Sequence, residues 1–121
     1  MCVALVAAVA LLTFGAASRN FGIIAGVADY PGAIPDLEYT DDDAIAMWET
    51  VTCDPEWAAG DVTLLLDGAA TKAGVVGAIQ EISTLMAEGD TLLFYFSGHG
   101  TVGPDVAPLD EADGKDEYLC L

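Results

Sequence analysis

The chain alternates between two hydrophobic periodicities. Phe21 to Val27 (FGIIAGV) is an almost unbroken apolar run, the pattern of a strand buried on both faces. A loop rich in Pro and Gly, YPGAIPDLEY, follows it. Thr40 then opens TDDDAIAMWETV, where Ala44, Met47, Trp48 and Val51 share one face at helical spacing. Thr40 as N-cap and Asp43 at the third helical position predict a capping box, and the acidic first turn suits the helix dipole. A second strand is predicted over Val62 to Leu66 (VTLLL), ended by Asp67-Gly68. A second helix is predicted to start at Thr71 and run through KAGVVGAIQEISTLMA, with Val75, Ile79, Ile82 and Met86 on its buried stripe. Gly74 and Gly77 weaken that helix, and Gly89 is placed to end it. Thr91 to Phe96 (TLLFYF) is a third strand, apolar on both faces. Beyond Gly103 the chain turns acidic and loop-like until EYLCL, where another strand begins.

Strand, helix, strand, helix, strand in this order predicts an α/β fold: an open, mainly parallel sheet with helices on both faces. In such sheets chemistry gathers beyond the carboxyl ends of the strands. The one histidine of the chain, His99, lies just past the end of the third strand, between two glycines, and the loop containing Asp29 follows the first.

Composition narrows the partners. Twenty acidic residues against three basic ones give a formal charge of -17. Arg19, Lys72 and Lys115 form no patch, so nucleic acid, which is held mainly by Lys and Arg on phosphates, is excluded as a partner. Basic peptides or divalent cations suit this surface, and adaptation to high salt is a compatible reading. Hydrophobic residues make up 54% of the chain, enough for a packed core in one small domain.

Residues 1–18, MCVALVAAVALLTFGAAS, carry no charge; the apolar core is short for a bilayer, and small residues follow it. This pattern is that of a secretory signal peptide without its basic n-region, which predicts a secreted or cell-envelope protein with residues 19–121 as the domain. A misassigned start and an uncleaved anchor are the competing readings. Cys2, Cys53 and Cys120 make no CxxC pair and no zinc spacing, and a Cys53–Cys120 disulfide is allowed but not implied.

YFSGHG after an apolar strand, preceded by GVADYPG, LEYTDDDA and VTLLLDGAATKAGV and followed by DEADGKDEYLC, resembles the caspase and metacaspase group of cysteine peptidases. The resemblance runs from about Phe21 to the last residue and is strongest to the prokaryotic metacaspase-like members, through the acidic DEADGKDEY segment. It implies that His99 is the catalytic histidine of a Cys-His dyad, which needs no cofactor, and that Gly100 gives a backbone N–H to the oxyanion. It also implies an acidic S1 pocket for Arg or Lys to which Asp43 contributes, with helix capping as the competing role of Asp43. Metacaspases are often calcium-activated, so the segment around Asp113 and Asp116 is a calcium candidate. It does not fit an EF-hand loop, and a solvated acidic loop is the plainer reading.

One departure is large. The family's nucleophilic cysteine follows the next strand, and the caspase pattern sets it about 50 residues after the histidine. The chain reaches Leu121 before that point, with no Asp-x-Cys or QAC element. Cys120 falls in a stretch that family members carry upstream of the nucleophile, and Cys53 follows the first helix. The expectation is the front portion of a peptidase domain, with the histidine but not the thiol of the dyad. A non-catalytic secreted acidic module that binds peptide or calcium is the alternative, and an unrelated small α/β binding domain is the third. The sheet would lack a fourth strand beside TLLFYF, leaving an apolar edge prone to self-association.

Overall fold

A computed structural model describes residues 18–121; residues 1–17, with Cys2 and the signal-peptide expectation, lie outside the described residues. Strand β1 (Asn20–Gly26) carries no polar side chain after its first residue and takes the middle of a three-stranded sheet. Strands β2 (Val62–Leu66) and β3 (Thr91–Ser97) flank it, both parallel. Ile24 stands in register with Leu64 on one side and Tyr95 on the other. Helix α1 (Thr40–Cys53) follows β1, and helix α2 (Lys72–Ser83) follows β2. The fold is the expected α/β sheet.

The period of 2 along β1 divides the core. Phe21 and Ile23 face α2, where Ala78 and Ile82 cover them. Ile24 faces the other way, against Ala44 and Val51 of α1, with Met47 and Trp48 alongside. Ile23 and Ile24 are both 0% exposed, and burying each contributes about 1.5–3 kcal/mol. On the α1 face of β1, Ile24 is flanked by Gly22 and Gly26. A Cβ on Gly26 would lie 2.5 Å from the Thr40 carbonyl oxygen and 2.6 Å from the Ala44 Cβ, so the start of α1 rests directly on the strand's backbone.

Several local expectations are corrected. No capping box forms on α1. Tyr39, in a left-handed conformation, is the N-cap and makes no side-chain capping bond. Thr40 is already helical and its hydroxyl donates to the Val27 carbonyl at 2.6 Å, which ties the helix to the end of β1. The cap thus sits one residue earlier than the Thr-x-x-Asp pattern needs. On α2, Thr71 does cap, accepting from the Gly74 N–H at 3.0 Å. The helix ends at Ser83 and not near Ala87, because the Ser83 and Thr84 hydroxyls bond back to the carbonyls of Gln80 and Glu81 and compete with its continuation. Ile79 is 44% exposed, and Ala78 takes its place in the buried stripe. The stripe therefore runs at i, i+3 and i+7 through Val75, Ala78 and Ile82.

The segment after His99 differs most. Gly100–Pro104, which the hydrophobic pattern does not mark as a strand, is strand β4, and it pairs antiparallel with β5 (Lys115–Leu119) in a separate two-stranded sheet. The strand expected at EYLCL therefore exists, shifted toward Lys115, but its partner is β4 and not β3. Its fit rests on tertiary contact: a Cβ on Gly103 would lie 2.9 Å from the Tyr118 ring, so the glycine gives that ring its place. Among the described residues nothing pairs with the outer edge of β3, and Leu92 and Phe94 are more than two-fifths exposed there. No described helix is long and apolar enough to cross a membrane.

Two outcomes are expected. Gly26→Ala should destabilise the chain by about 1–3 kcal/mol in a urea melt, because the strand–helix contact has no room for a methyl group; an unchanged midpoint would show that α1 shifts freely. The open β3 edge should make the chain self-associate in size-exclusion chromatography, with Phe94→Lys moving it toward monomer. A wild-type chain that elutes as a monomer at all concentrations would contradict this.

Candidate active site

The site is assembled where β1 and β3 end. Beyond β1 the chain continues as Val27, Ala28, Asp29 and Tyr30, and the Val27 N–H donates to the Ser97 carbonyl at 3.0 Å, so the two strands stay paired to their carboxyl ends. Gly98 then lets the chain turn under Tyr30. A Cβ on it would meet the Tyr30 hydroxyl at 2.5 Å and the Phe96 ring at 2.6 Å. His99 follows at once.

His99 is held by the β1–α1 loop at two points. Its backbone N–H donates to Tyr30 Oη at 2.7 Å, and the two rings lie 4.9 Å apart, tilted at 53°. Its Nε2 is 2.9 Å from the Pro35 carbonyl oxygen. A carbonyl can only accept, so this bond requires the proton on Nε2. In the neutral ring that leaves Nδ1 unprotonated, with its lone pair free. The histidine is thus oriented, fixed in one tautomer and basic at the nitrogen that carries no such bond.

Gly100 opens β4. The bonds from Cys120 N–H to the His99 carbonyl (2.9 Å) and from Asp105 N–H to the Gly114 carbonyl (3.1 Å) set the alternation of the ladder. Gly100 and Leu119 therefore face each other as a non-hydrogen-bonded pair, and the Gly100 N–H turns outward, away from β5. The nearest contact of a Cβ there would be an ordinary 3.7 Å, so the fold itself does not demand glycine at this position.

Asp43, exposed in the first turn of α1, accepts from the Ser97 hydroxyl at 3.3 Å. The structure thus brings Asp43 to the end of β3 that leads into His99, and its side chain does not cap the helix. A carboxylate beside a hydroxyl at an open surface is suited to a cationic side chain.

The remaining candidates are placed differently. Cys53 ends α1, an exposed position reached only after the helix has run away from the strand ends. Cys120 is opposite His99 along the ladder, but its side chain packs with Ala25, Val27, Tyr30 and Ala70, and no hydrogen bond joins it to the imidazole. Asp113 and Asp116 bond within the hairpin: Asp113 accepts the Lys115 N–H, and Asp116 accepts the Val106 N–H and the Tyr118 hydroxyl. That hydroxyl bond, followed by partial desolvation and the charges of Asp116 and Asp105, raises the Tyr118 pKa above its ordinary value. Among the described residues no three His, Cys, Asp or Glu side chains group as a metal ion would need.

Tyr30, Pro35 and Ser97 are site residues that sequence patterns do not announce. Tyr30 and Pro35 stand in a loop whose Pro and Gly content signals only a turn, and Pro35 acts through a backbone carbonyl, which no residue type marks. Ser97 is visible only as the polar residue that ends an apolar strand.

A search of curated proteins gave no match. The order of elements, the histidine after the third strand and the glycine beside it are accompanied by a match of residues 19–121 to the family model of the caspase domain, a peptidase family, and the chain belongs to that family of cysteine-peptidase-like domains.

Proposed function

We propose that the chain provides the histidine side of a cysteine endopeptidase site, with His99 as general base and acid, Gly100 as oxyanion donor and Asp43 as part of a pocket for Arg or Lys. The observation that carries this is the 2.9 Å contact between His99 Nε2 and the Pro35 carbonyl, which leaves Nδ1 as the working nitrogen. Nδ1 accepts the proton of a cysteine thiol, and the thiolate attacks the scissile carbonyl carbon. As the carbonyl oxygen gains charge, the outward Gly100 N–H donates to it. Collapse breaks the C–N bond, and the imidazolium returns its proton to the leaving amine. Water then hydrolyses the acyl-enzyme by the same proton transfers. Throughout, the Pro35 carbonyl keeps Nε2–H bonded and the ring oriented.

The charge supports the substrate side. An Arg or Lys side chain would meet the Asp43 carboxylate and the Ser97 hydroxyl in a molecule of charge -17. An acidic P1 residue would meet repulsion.

Neither described cysteine is presented to His99, so the chain by itself should not turn over peptides, and Cys120→Ala should change nothing. Turnover of an Arg-containing peptide that Cys120→Ala abolishes would make Cys120 the nucleophile. Binding is the direct test of the pocket. In NMR titrations a short peptide with Arg at P1 should shift the His99, Gly100 and Ser97 signals, and the same peptide with Asp at P1 should not. Asp43→Asn should weaken the Arg peptide about two- to fivefold, the scale of an exposed ion pair. Equal binding of both peptides would remove Asp43 from substrate recognition.

A further inference from the structure

We infer that Asp67 and Asp36 are positioning residues for His99: their carboxylates hold the β1–α1 loop that presents Tyr30 and Pro35 to the histidine. The inference rests on the role proposed for His99. Asp67 follows β2, on a neighbouring strand connection, yet its Oδ1 accepts the N–H groups of both Ala28 and Asp29, at 2.8 and 3.0 Å. These donors lie 39 and 38 residues away in sequence, so this is no local turn bond. Among the described residues Asp67 is also one of two non-glycine residues with positive φ, at 44°, a conformation that Asp and Asn tolerate better than other side chains. The backbone twist aims the carboxylate at the loop.

Asp36 holds the loop's far side. Its Oδ1 accepts the Tyr30 N–H at 2.9 Å, and the Leu37 N–H donates to the Ala28 carbonyl at 2.9 Å, which closes the loop on itself. Between these fixed points stand the Tyr30 hydroxyl, which takes the His99 backbone N–H, and the Pro35 carbonyl, which takes the ring proton. Pro35 directly precedes Asp36 in sequence. If either carboxylate were removed, the loop N–H groups would lose their acceptor and the Pro35 carbonyl would no longer be held at the distance that fixes the histidine tautomer. Neither carboxylate touches the histidine, so they act through the loop alone.

The single histidine makes the test unambiguous. In the wild-type chain the His99 Nε2–H proton should be visible by NMR and protected from exchange with water. Asp67→Gly keeps the permissive backbone and removes the acceptor; Asp36→Ala removes the other. Each should lower the Nε2–H protection about tenfold, the effect of losing one ordinary hydrogen bond, while the amides of β1 keep theirs. Asp67→Asn and Asp36→Asn, which retain an acceptor oxygen without the charge, should restore it. Should Asp67→Gly fail to fold, the exposed Asp36 carries the test. Protection that is present in wild type and unchanged in a folded Asp67→Gly or Asp36→Ala chain overturns the inference for that residue and leaves the role of His99 standing. A wild-type Nε2–H that exchanges freely would mean the Pro35 bond is absent, and both would fall.

Discussion

Strand β1 can satisfy its backbone and its side chains only from the middle of the sheet. From Phe21 onward it offers apolar groups to both faces, and its N–H and C=O groups need a partner on each edge. That demand fixes β2 and β3 beside it and a helix over each face. It also fixes where the chain must leave the sheet. The first loop and the turn after β3 emerge side by side at the carboxyl ends, and the site is made of these two segments. The glycines of β1 carry this further, since Gly26 lets the acidic first turn of α1 sit against the strand and brings Asp43 within reach of Ser97.

His99 is then a histidine controlled almost entirely by main chain and by one phenol. Its ring proton goes to a carbonyl and its own amide to Tyr30. The acidic surroundings do not touch the imidazole. Orientation by a backbone carbonyl suits the acid–base role proposed for this histidine.

The elements that the sequence makes legible are those whose burial repeats at a regular period. β1, β2, β3 and the buried face of α1 follow from apolar spacing, and the place of His99 follows from their order. β4 was not legible because GTVGP has the composition of a turn, and only its pairing with a distant segment makes it a strand. The start of α1 misleads for a related reason. Thr40 bonds to Val27 across the strand–helix boundary, a tertiary choice that a local capping rule does not contain. Ile79 shows the limit of a helical stripe, since Ala78, one position earlier, is the residue that packs on Phe21 and Ile23 while Ile79 faces solvent. Pro35 acts through its backbone carbonyl, which leaves no trace in residue type, and the Asp67 carboxylate acts on backbone N–H groups 39 and 38 residues away, which no local pattern marks.

The bonds that define His99 join it to positions 69 and 64 residues earlier in the chain. Such contacts form only after β1 and β3 have paired, because closing a long loop costs entropy that local structure does not recover. The histidine therefore acquires its orientation late in folding and is among the first groups to lose it when the loop opens locally. A nascent or partly opened chain carries an ordinary, unoriented imidazole. The orientation of His99 thus reports on the integrity of the fold, since it exists only once β1 and β3 are paired.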